Sequence, residues 1–232
     1  MSTLLLRFAG PFQSWGSASR FSVRKTEREP TKSGIIGFIA AAMGLERDQP
    51  IDEFVNIRYG VRIDQIGEVF RDFHTARTSD GSQAFISSRY YLADAVFLIG
   101  IEGDDSLLKE VDKAIKNPVF PLFLGRRSCP PVGPISLGIK YGACVMETLS
   151  DIETAPWQAS TWYQKKQGKK VYLEIVMDAE AEEEGAFLRS DVPITFSQSH
   201  RKYSYRWIIS KTNAVVIENP AGKSIHDPME VI

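Results

Sequence analysis

The chain's 232 residues allow one large domain or two small ones, and 43% apolar content is enough for a core, which excludes disorder throughout. A formal net charge of −1 argues against a generic polyanion binder, and apolar runs such as 35–43 and 95–101 fall far short of the ~20 residues a membrane span needs. Cys129 and Cys144, with no CxxC, suggest neither a disulfide framework nor a zinc site, and the first residues lack a signal-peptide pattern, so a cytoplasmic protein is expected.

In chain order, residues 4–8 read as a buried strand stopped by Gly10 and Pro11. Pro30-Thr31-Lys32-Ser33 opens a helix to about Met43, capped by Thr31 or Ser33 and ended by Gly44. Residues 57–63 and 69–73 predict two strands joined across 64–67, and 90–101 a further strand region. Asp104 and Asp105 cap a second helix with Leu107, Leu108, Val111 and Ile115 on one face. An extended run follows at 119–124. The order is βαββαβ, an α+β domain of ferredoxin-like (RRM-type) arrangement over residues 1–145, with a polar insertion at about 75–88. Residues 146–232 form a smaller β-rich part, with strands expected at 172–177, 203–209 and 214–217.

The charge is segregated. Five basic residues lie between Arg20 and Lys32, Arg126 and Arg127 are adjacent, and Lys165, Lys166, Lys169 and Lys170 cluster. Asp178, Glu180 and Glu182 to Glu184 form an acidic block. Such a division suits one polyanion-facing surface and others turned to protein, although a solvated surface explains any single cluster as well.

Four constellations stand out. Gly10-Pro11-Phe12-Gln13-Ser14-Trp15-Gly16 is a glycine-bounded loop whose rings could stack on single-stranded RNA or pack as core; polar neighbours favour presentation of Trp15. Thr31, Lys32 and Ser33 at a helix start could meet a phosphate, or simply cap the helix; Gly34 and Gly37 suggest that something approaches that face closely. The sequence there is not a Walker A loop. Arg71-Asp72-Phe73-His74-Thr75 ends a strand, with Asp72 and His74 on one face and Arg71, Phe73 and Thr75 on the other. His74 with Tyr90 or Tyr91 could be the acid–base pair of a metal-free ribonuclease, but a hydrogen-bonding role is the commoner one. Arg126, Arg127 and Ser128, in a loop bounded by Gly125 and Pro130, can grip phosphates or stack on bases, while Cys129 beside them reads as a structural thiol. No GxSxG, HExxH or GxGxxG occurs, and His74, His200 and His226 are too widely spaced to suggest a metal site; no cofactor is implied.

Read together, Leu-Arg-Phe-Ala-Gly-Pro-Phe-Gln-Ser-Trp-Gly from Leu6, Glu-Pro-Thr-Lys-Ser-Gly-Ile-Ile-Gly from Glu29, Arg-Asp-Phe-His-Thr from Arg71, Tyr-Tyr-Leu-Ala-Asp-Ala from Tyr90 and Leu-Gly-Arg-Arg-Ser-Cys-Pro-Pro from Leu124 resemble the Cas-five (CasD) family of CRISPR-associated proteins, in its type I-E branch. The resemblance covers roughly residues 1–145. It implies an RRM-like domain with a thumb at 75–88 and a non-catalytic Cascade subunit that holds the 5′ handle of the crRNA. It further implies that the chain caps the backbone filament against the backbone and large subunits and meets target DNA only through the complex. The expected RNA-binding residues are Gln13, Trp15, Arg20, Arg24, Thr31, Lys32, Ser33, Arg71, His74, Arg126, Arg127 and Ser128. In the type I-C branch the family cuts precursor RNA, which keeps the ribonuclease alternative of His74 with Tyr90 or Tyr91.

Overall fold

A computed structural model describes residues 1–16 and 22–223. Its elements are β1 (Ser2–Ala9), β2 (Phe12–Gln13), β3 (Val23–Arg24), α1 (Lys32–Met43), α2 (Asp52–Val55), β4 (Arg58–Gln65), β5 (Glu68–Arg77), β6 (Ala84–Ala93), β7 (Val96–Gly103), α3 (Asp105–Lys116), β8 (Ser136–Lys140), α4 (Val145–Ser150), α5 (Thr161–Gln164), β9 (Lys170–Asp178), β10 (Phe187–Thr195) and β11 (Lys202–Glu218). Seven strands form one antiparallel sheet in the order β10-β11-β9-β4-β7-β1-β8. A second sheet is built on β6, with β5 along one edge and the short β2 and β3 on the other. The fold is α+β, with mainly antiparallel sheets.

Side-chain alternation explains the layers. Leu4, Leu6 and Phe8 of β1 join Tyr59, Val61, Ile99 and Ile101 in the larger core, which α1 and α3 cover. Leu5 and Leu98 point the other way, into a smaller core under α4 with Leu173, Ile175 and Val215. α1 is buried on most sides through Ile35, Ile36, Phe38 and Ile39. The Thr31 hydroxyl accepts the Gly34 N–H at 3.2 Å, and Gly44 closes the helix at φ 80°, as the sequence predicts. Asp104 caps α3 by accepting the Ser106 N–H at 3.1 Å.

Strand pairing departs from the sequence expectation in four places. β4 and β5 are consecutive but unpaired: β4 lies in the large sheet between β7 and β9, while β5 pairs β6. The expected insertion is therefore the outer part of a longer hairpin of two ten-residue strands, turned through residues 78–83. Residues 119–124 are no strand, because Val119 and Phe120 give their N–H groups to Ala42 and Ala41 at the end of α1. The strand beside β1 is β8 instead. Finally, β10 was not expected, and the runs at 203–209 and 214–217 belong to one strand, β11, whose register shifts between Lys211 and Val215 around Asn213 at φ 58°.

The face of the sheet opposite α1 and α3 is occupied at its centre. Added β-carbons at Gly60 and Gly100 would lie 3.0 Å from Leu149 and 2.7 Å from Val145, so α4 rests directly on the strands there. Next to it, the fully buried Arg62 binds both oxygens of Asp64, at 2.6 and 2.9 Å, and the carbonyls of Leu149, Ala155 and Pro156 at 2.8, 2.7 and 3.0 Å. All of its N–H donors point to protein acceptors, which ties the segment after α4 to β4.

Candidate nucleic-acid interface

The register of β5 against β6 sets Phe70 opposite Tyr91, Asp72 opposite Arg89 and His74 opposite Ser87, so these side chains share one face of the hairpin. β2 adds Phe12, whose ring centroid stands 5.7 Å from that of Phe70 and 5.8 Å from that of Tyr91. Together with Asp72, His74 and Ser128 they line a groove of about 290 Å³. Phe12 and Phe70 keep 38% and 49% of their surface exposed, which leaves aromatic area available for stacking.

The 124–130 loop closes one side. Leu124 donates to the Cys129 carbonyl at 2.7 Å, and Gly125, at φ 83°, lies against the Ser14 carbonyl where any β-carbon would collide at 1.8 Å. Arg126 lies 4.8 Å from the Tyr91 ring centroid and donates to the carbonyls of Tyr90 (3.1 Å) and Arg24 (3.0 Å), which fastens the loop to β6 and β3. Arg127 is exposed and forms no ion pair among the described residues. His74 Nε2 meets Asp72 Oδ2 at 2.5 Å, both side chains being partly exposed. Arg89, on the same face, has its Nε buried without a hydrogen-bond partner. On the other face, Arg71 covers the Phe73 ring at 4.4 Å, lies 5.9 Å from the Tyr90 ring centroid and donates to Ser88 at 3.0 Å.

The structure brings His74, Arg126 and Ser128 to this groove, leaves Arg24 exposed beside it and sets Arg71 on the hairpin's other face; Arg20 lies outside the described residues. Tyr91 shares the face of His74, whereas Tyr90 alternates to the opposite one, so His74 and Tyr90 do not form a pair.

Five expected residues are buried. Trp15 has no exposed surface, stacks on Phe8 with centroids 5.7 Å apart and 7° between planes, and gives its indole N–H to Gln13 Oε1 at 3.1 Å. Gln13, also fully buried, donates to the carbonyls of Phe8 (3.3 Å) and Ala95 (2.8 Å). Polar sequence neighbours misled here because Gln13 and Ser14 are themselves turned inward and satisfied. Thr31 is the internal cap of α1, and the buried Ser33 hydroxyl meets the Thr31 hydroxyl at 3.3 Å. Lys32 is 6% exposed, and its backbone N–H is taken by Asp191 Oδ2 at 2.9 Å. The anion expected at the start of α1 is therefore a carboxylate of the protein itself. Gly34 does admit a close neighbour, but it is protein: a β-carbon there would lie 2.8 Å from the Trp15 ring, whereas one at Gly37 would make only ordinary contact with Phe196 at 3.6 Å.

That carboxylate belongs to a buried cluster that sequence reasoning missed. Arg206 binds Asp191 through Nε (2.7 Å) and Nη2 (2.8 Å), also binds Asp178, and donates to the Tyr59 hydroxyl at 2.8 Å. Tyr59 donates in turn to the Pro30 carbonyl at 2.9 Å, and Lys32 Nζ reaches Asp178 at 3.4 Å. Burial lowers the Lys32 pKa, opposed by Asp178, and raises that of Tyr59. Burial also pushes the Cys129 thiol up, away from nucleophilic character. The residues forming this cluster lie far apart in sequence, so no local pattern could have assembled it.

The β5–β6 hairpin thus carries a groove with exposed aromatic rings, beside an arginine-stapled loop and the exposed Arg127. The chain belongs to the CRISPR-associated protein (Cas_Cas5) family, whose model matches residues 3–209. It is 32% identical over 160 residues, 59% of this chain and 70% of the relative, to the CRISPR system Cascade subunit CasD of Escherichia coli (strain K12). A chain in a solved CRISPR RNA-guided surveillance complex superposes with a TM-score of 0.74 at 26% identity, covering 98% of this chain and 96% of that one. A crystal structure of a Cas protein gives 0.67 at 32% identity, covering 96% and 98%.

Proposed function

We propose that this protein is a non-catalytic subunit of a type I-E CRISPR Cascade complex that holds the 5′ handle of the crRNA and caps the backbone filament in antiviral defence. The observation that carries the reading is the groove of Phe12, Phe70 and Tyr91 beside the Arg126 staple and the free Arg127. Splayed handle bases stack on the rings while phosphates meet the loop. Membership of the Cas5 family and likeness to a Cascade subunit and to a chain of a surveillance complex support it.

In this reading residues 1–145 form a ferredoxin-like unit, supported by the β8-β1-β7-β4 order with α1 and α3 on one face. The β5–β6 hairpin is its thumb. β9 to β11 extend the sheet from β4 and α4 covers its second face, so RNA is held at the hairpin rather than across the sheet. Partners are the backbone and large subunits in the cytoplasm; no described helix is long and apolar enough to cross a membrane. Target DNA is read by pairing to the guide. The non-catalytic assignment is supported by His74, whose Nε2 is engaged by Asp72; of its two candidate partners, Tyr90 faces away and Tyr91 packs against Phe12 and Arg126.

The test is incubation of the purified chain with labelled repeat RNA and with a scrambled sequence, in EDTA. Binding that prefers the repeat, without cleavage, is expected, and Phe70→Ala should weaken it by ~1–3 kcal/mol. Specific cleavage that disappears in His74→Ala would overturn the non-catalytic reading.

A further inference from the structure

The lysines at 165–170 are not part of the hairpin groove. Lys165, Lys166, Lys169 and Lys170 are all exposed around the turn from α5 into β9, and Lys223, also exposed, joins them through its bridge to Gly168. Among the described residues, Lys170 reaches Glu218 at 3.7 Å and Lys166 lies 4.9 Å from the Trp162 ring centroid, but Lys165, Lys169 and Lys223 form no ion pair. Five exposed lysines thus stand along this corner, and among the described residues only Lys170 is ion-paired, on a chain whose total charge is −1.

The corner is rigidly built. The Asn219 side chain donates to the carbonyls of Gln164 (2.9 Å) and Gly168 (3.0 Å), and Lys223 donates its backbone N–H to Gln167 at 3.0 Å. Gly222 passes so near Gly168 that a β-carbon would lie 2.3 Å from its carbonyl oxygen. Trp162 packs edge-on against Tyr163, and Tyr163 against Trp157, which donates to the Asp64 carbonyl at 2.7 Å. Despite this support Trp162 remains 48% exposed, and Tyr172, on the same strand face as Lys170, 57%.

Its position is equally specific. Gln65 at the end of β4 donates to the Asp94 carbonyl in the turn between β6 and β7 and accepts from Ser160 at the start of α5. The lysine corner and the hairpin base therefore stand at the same end of the molecule. The acidic residues 180–184 follow the opposite end of β9, so the charge is polarised along that strand.

We propose that this corner is a second nucleic-acid contact, separate from the groove, which holds the phosphates of a passing single strand on its lysines and stacks a base on Trp162. Lysine ammoniums attract phosphate as point charges without reading sequence, and an exposed indole accepts any base. The exposed rings favour nucleic acid over an acidic protein. RNA and DNA share this chemistry.

Fluorescence anisotropy of the full chain with oligouridylate and with oligothymidylate, neither carrying repeat sequence, across a salt series tests it. Both should bind if the corner serves either kind of strand; preference for one identifies the source as guide or target. Lys165→Glu combined with Lys169→Glu should flatten the slope of log K against log salt by ~1.4, for two lost contacts. Trp162→Ala should weaken binding roughly 5- to 150-fold. The double lysine variant should lower the salt slope by the same amount on a Phe70→Ala background, which separates this site from the groove of the handle reading. Failure of the wild type to bind either homopolymer, or an unchanged salt slope in the double lysine variant, would overturn the proposal. The lysine variant changes only exposed side chains, so the test stands even if Trp162→Ala lowers the melting temperature.

Discussion

Replacing Trp15 by alanine separates a core role from an RNA-contacting one. In the structure the indole has no exposed surface, stacks on Phe8 and fills the space left by Gly34. Truncating a buried tryptophan costs ~3–5 kcal/mol, and the buried Gln13 Oε1, which loses its donor, adds ~1–3 kcal/mol. The sum of ~4–8 kcal/mol is a large part of the ~5–15 kcal/mol by which domains are stable. At ~2–4 °C per kcal/mol for a chain of this length, the melting temperature should fall by roughly 8–30 °C. Circular dichroism of the RNA-free variant measures this, and anisotropy with a handle oligonucleotide, well below the melt, measures affinity in the folded fraction. Affinity should stay within about threefold of wild type, under ~1 kcal/mol. An unchanged melt with affinity lost would return Trp15 to the RNA surface and refute the core assignment.

Arg127→Ala should leave the melting temperature unchanged but lower the salt slope of handle binding by ~0.7, whereas Arg126→Ala should also destabilise, since it frees the carbonyls of Tyr90 and Arg24; equal behaviour of the two would contradict the staple. Asp191→Ala removes one of the two carboxylates on the buried Arg206 and the acceptor of the Lys32 N–H at the start of α1, and urea unfolding should report a loss of ~3–5 kcal/mol; a loss below ~1 kcal/mol would mean that Asp178 alone satisfies Arg206. At the hairpin turn, bonds from the Thr78 hydroxyl and from Ser82 hold the Asp80 carboxyl down at about 2. Because its folded pKa is depressed below the ordinary 3.8, the turn's stabilisation is present above that value and is lost as pH falls through about 2. NMR titration of Asp80 with an ordinary midpoint would show the turn open in solution.

Elements set by local chemistry were legible in the sequence. Thr31 and Gly44 bound α1, Asp104 starts α3, and the run 4–8 falls within β1. What failed depends on distant partners. Residues 119–124 look extended, but their N–H groups are used by the end of α1, and pairing with β1 falls to β8, whose Gly138 sits at φ 101° in a weak strand pattern. β10 carries Arg189, Asp191 and Pro193, a composition poor for a strand; Asp191 is there because Arg206 and the α1 start lie opposite. Of the candidate site, the Arg126 loop and His74 were legible as a patch of basic and hydrogen-bonding residues, while Phe12, Phe70 and Tyr91 became a groove only through the β2–β6 and β5–β6 pairings.

The segments that carry the family resemblance do more building than binding. Trp15 closes onto Gly34, Gly125 makes room for the Ser14 carbonyl, and the Tyr59 hydroxyl fixes Pro30. Each joint needs one particular small residue or one satisfied polar atom, so substitution there meets backbone or a buried ring rather than water. The result is a stiff junction between β1, α1 and the 124–130 loop, and the hairpin base is mounted on it through β2 and Arg126. Under the proposed function, rigid support of this kind spares the exposed side chains the cost of being ordered on binding. It also explains why residues expected to touch RNA, such as Trp15 and Lys32, lie beneath the groove or beyond it. Both are part of the buried scaffold, so variants of the buried set should act on folding first, and under the proposed function variants of the exposed set should act on affinity.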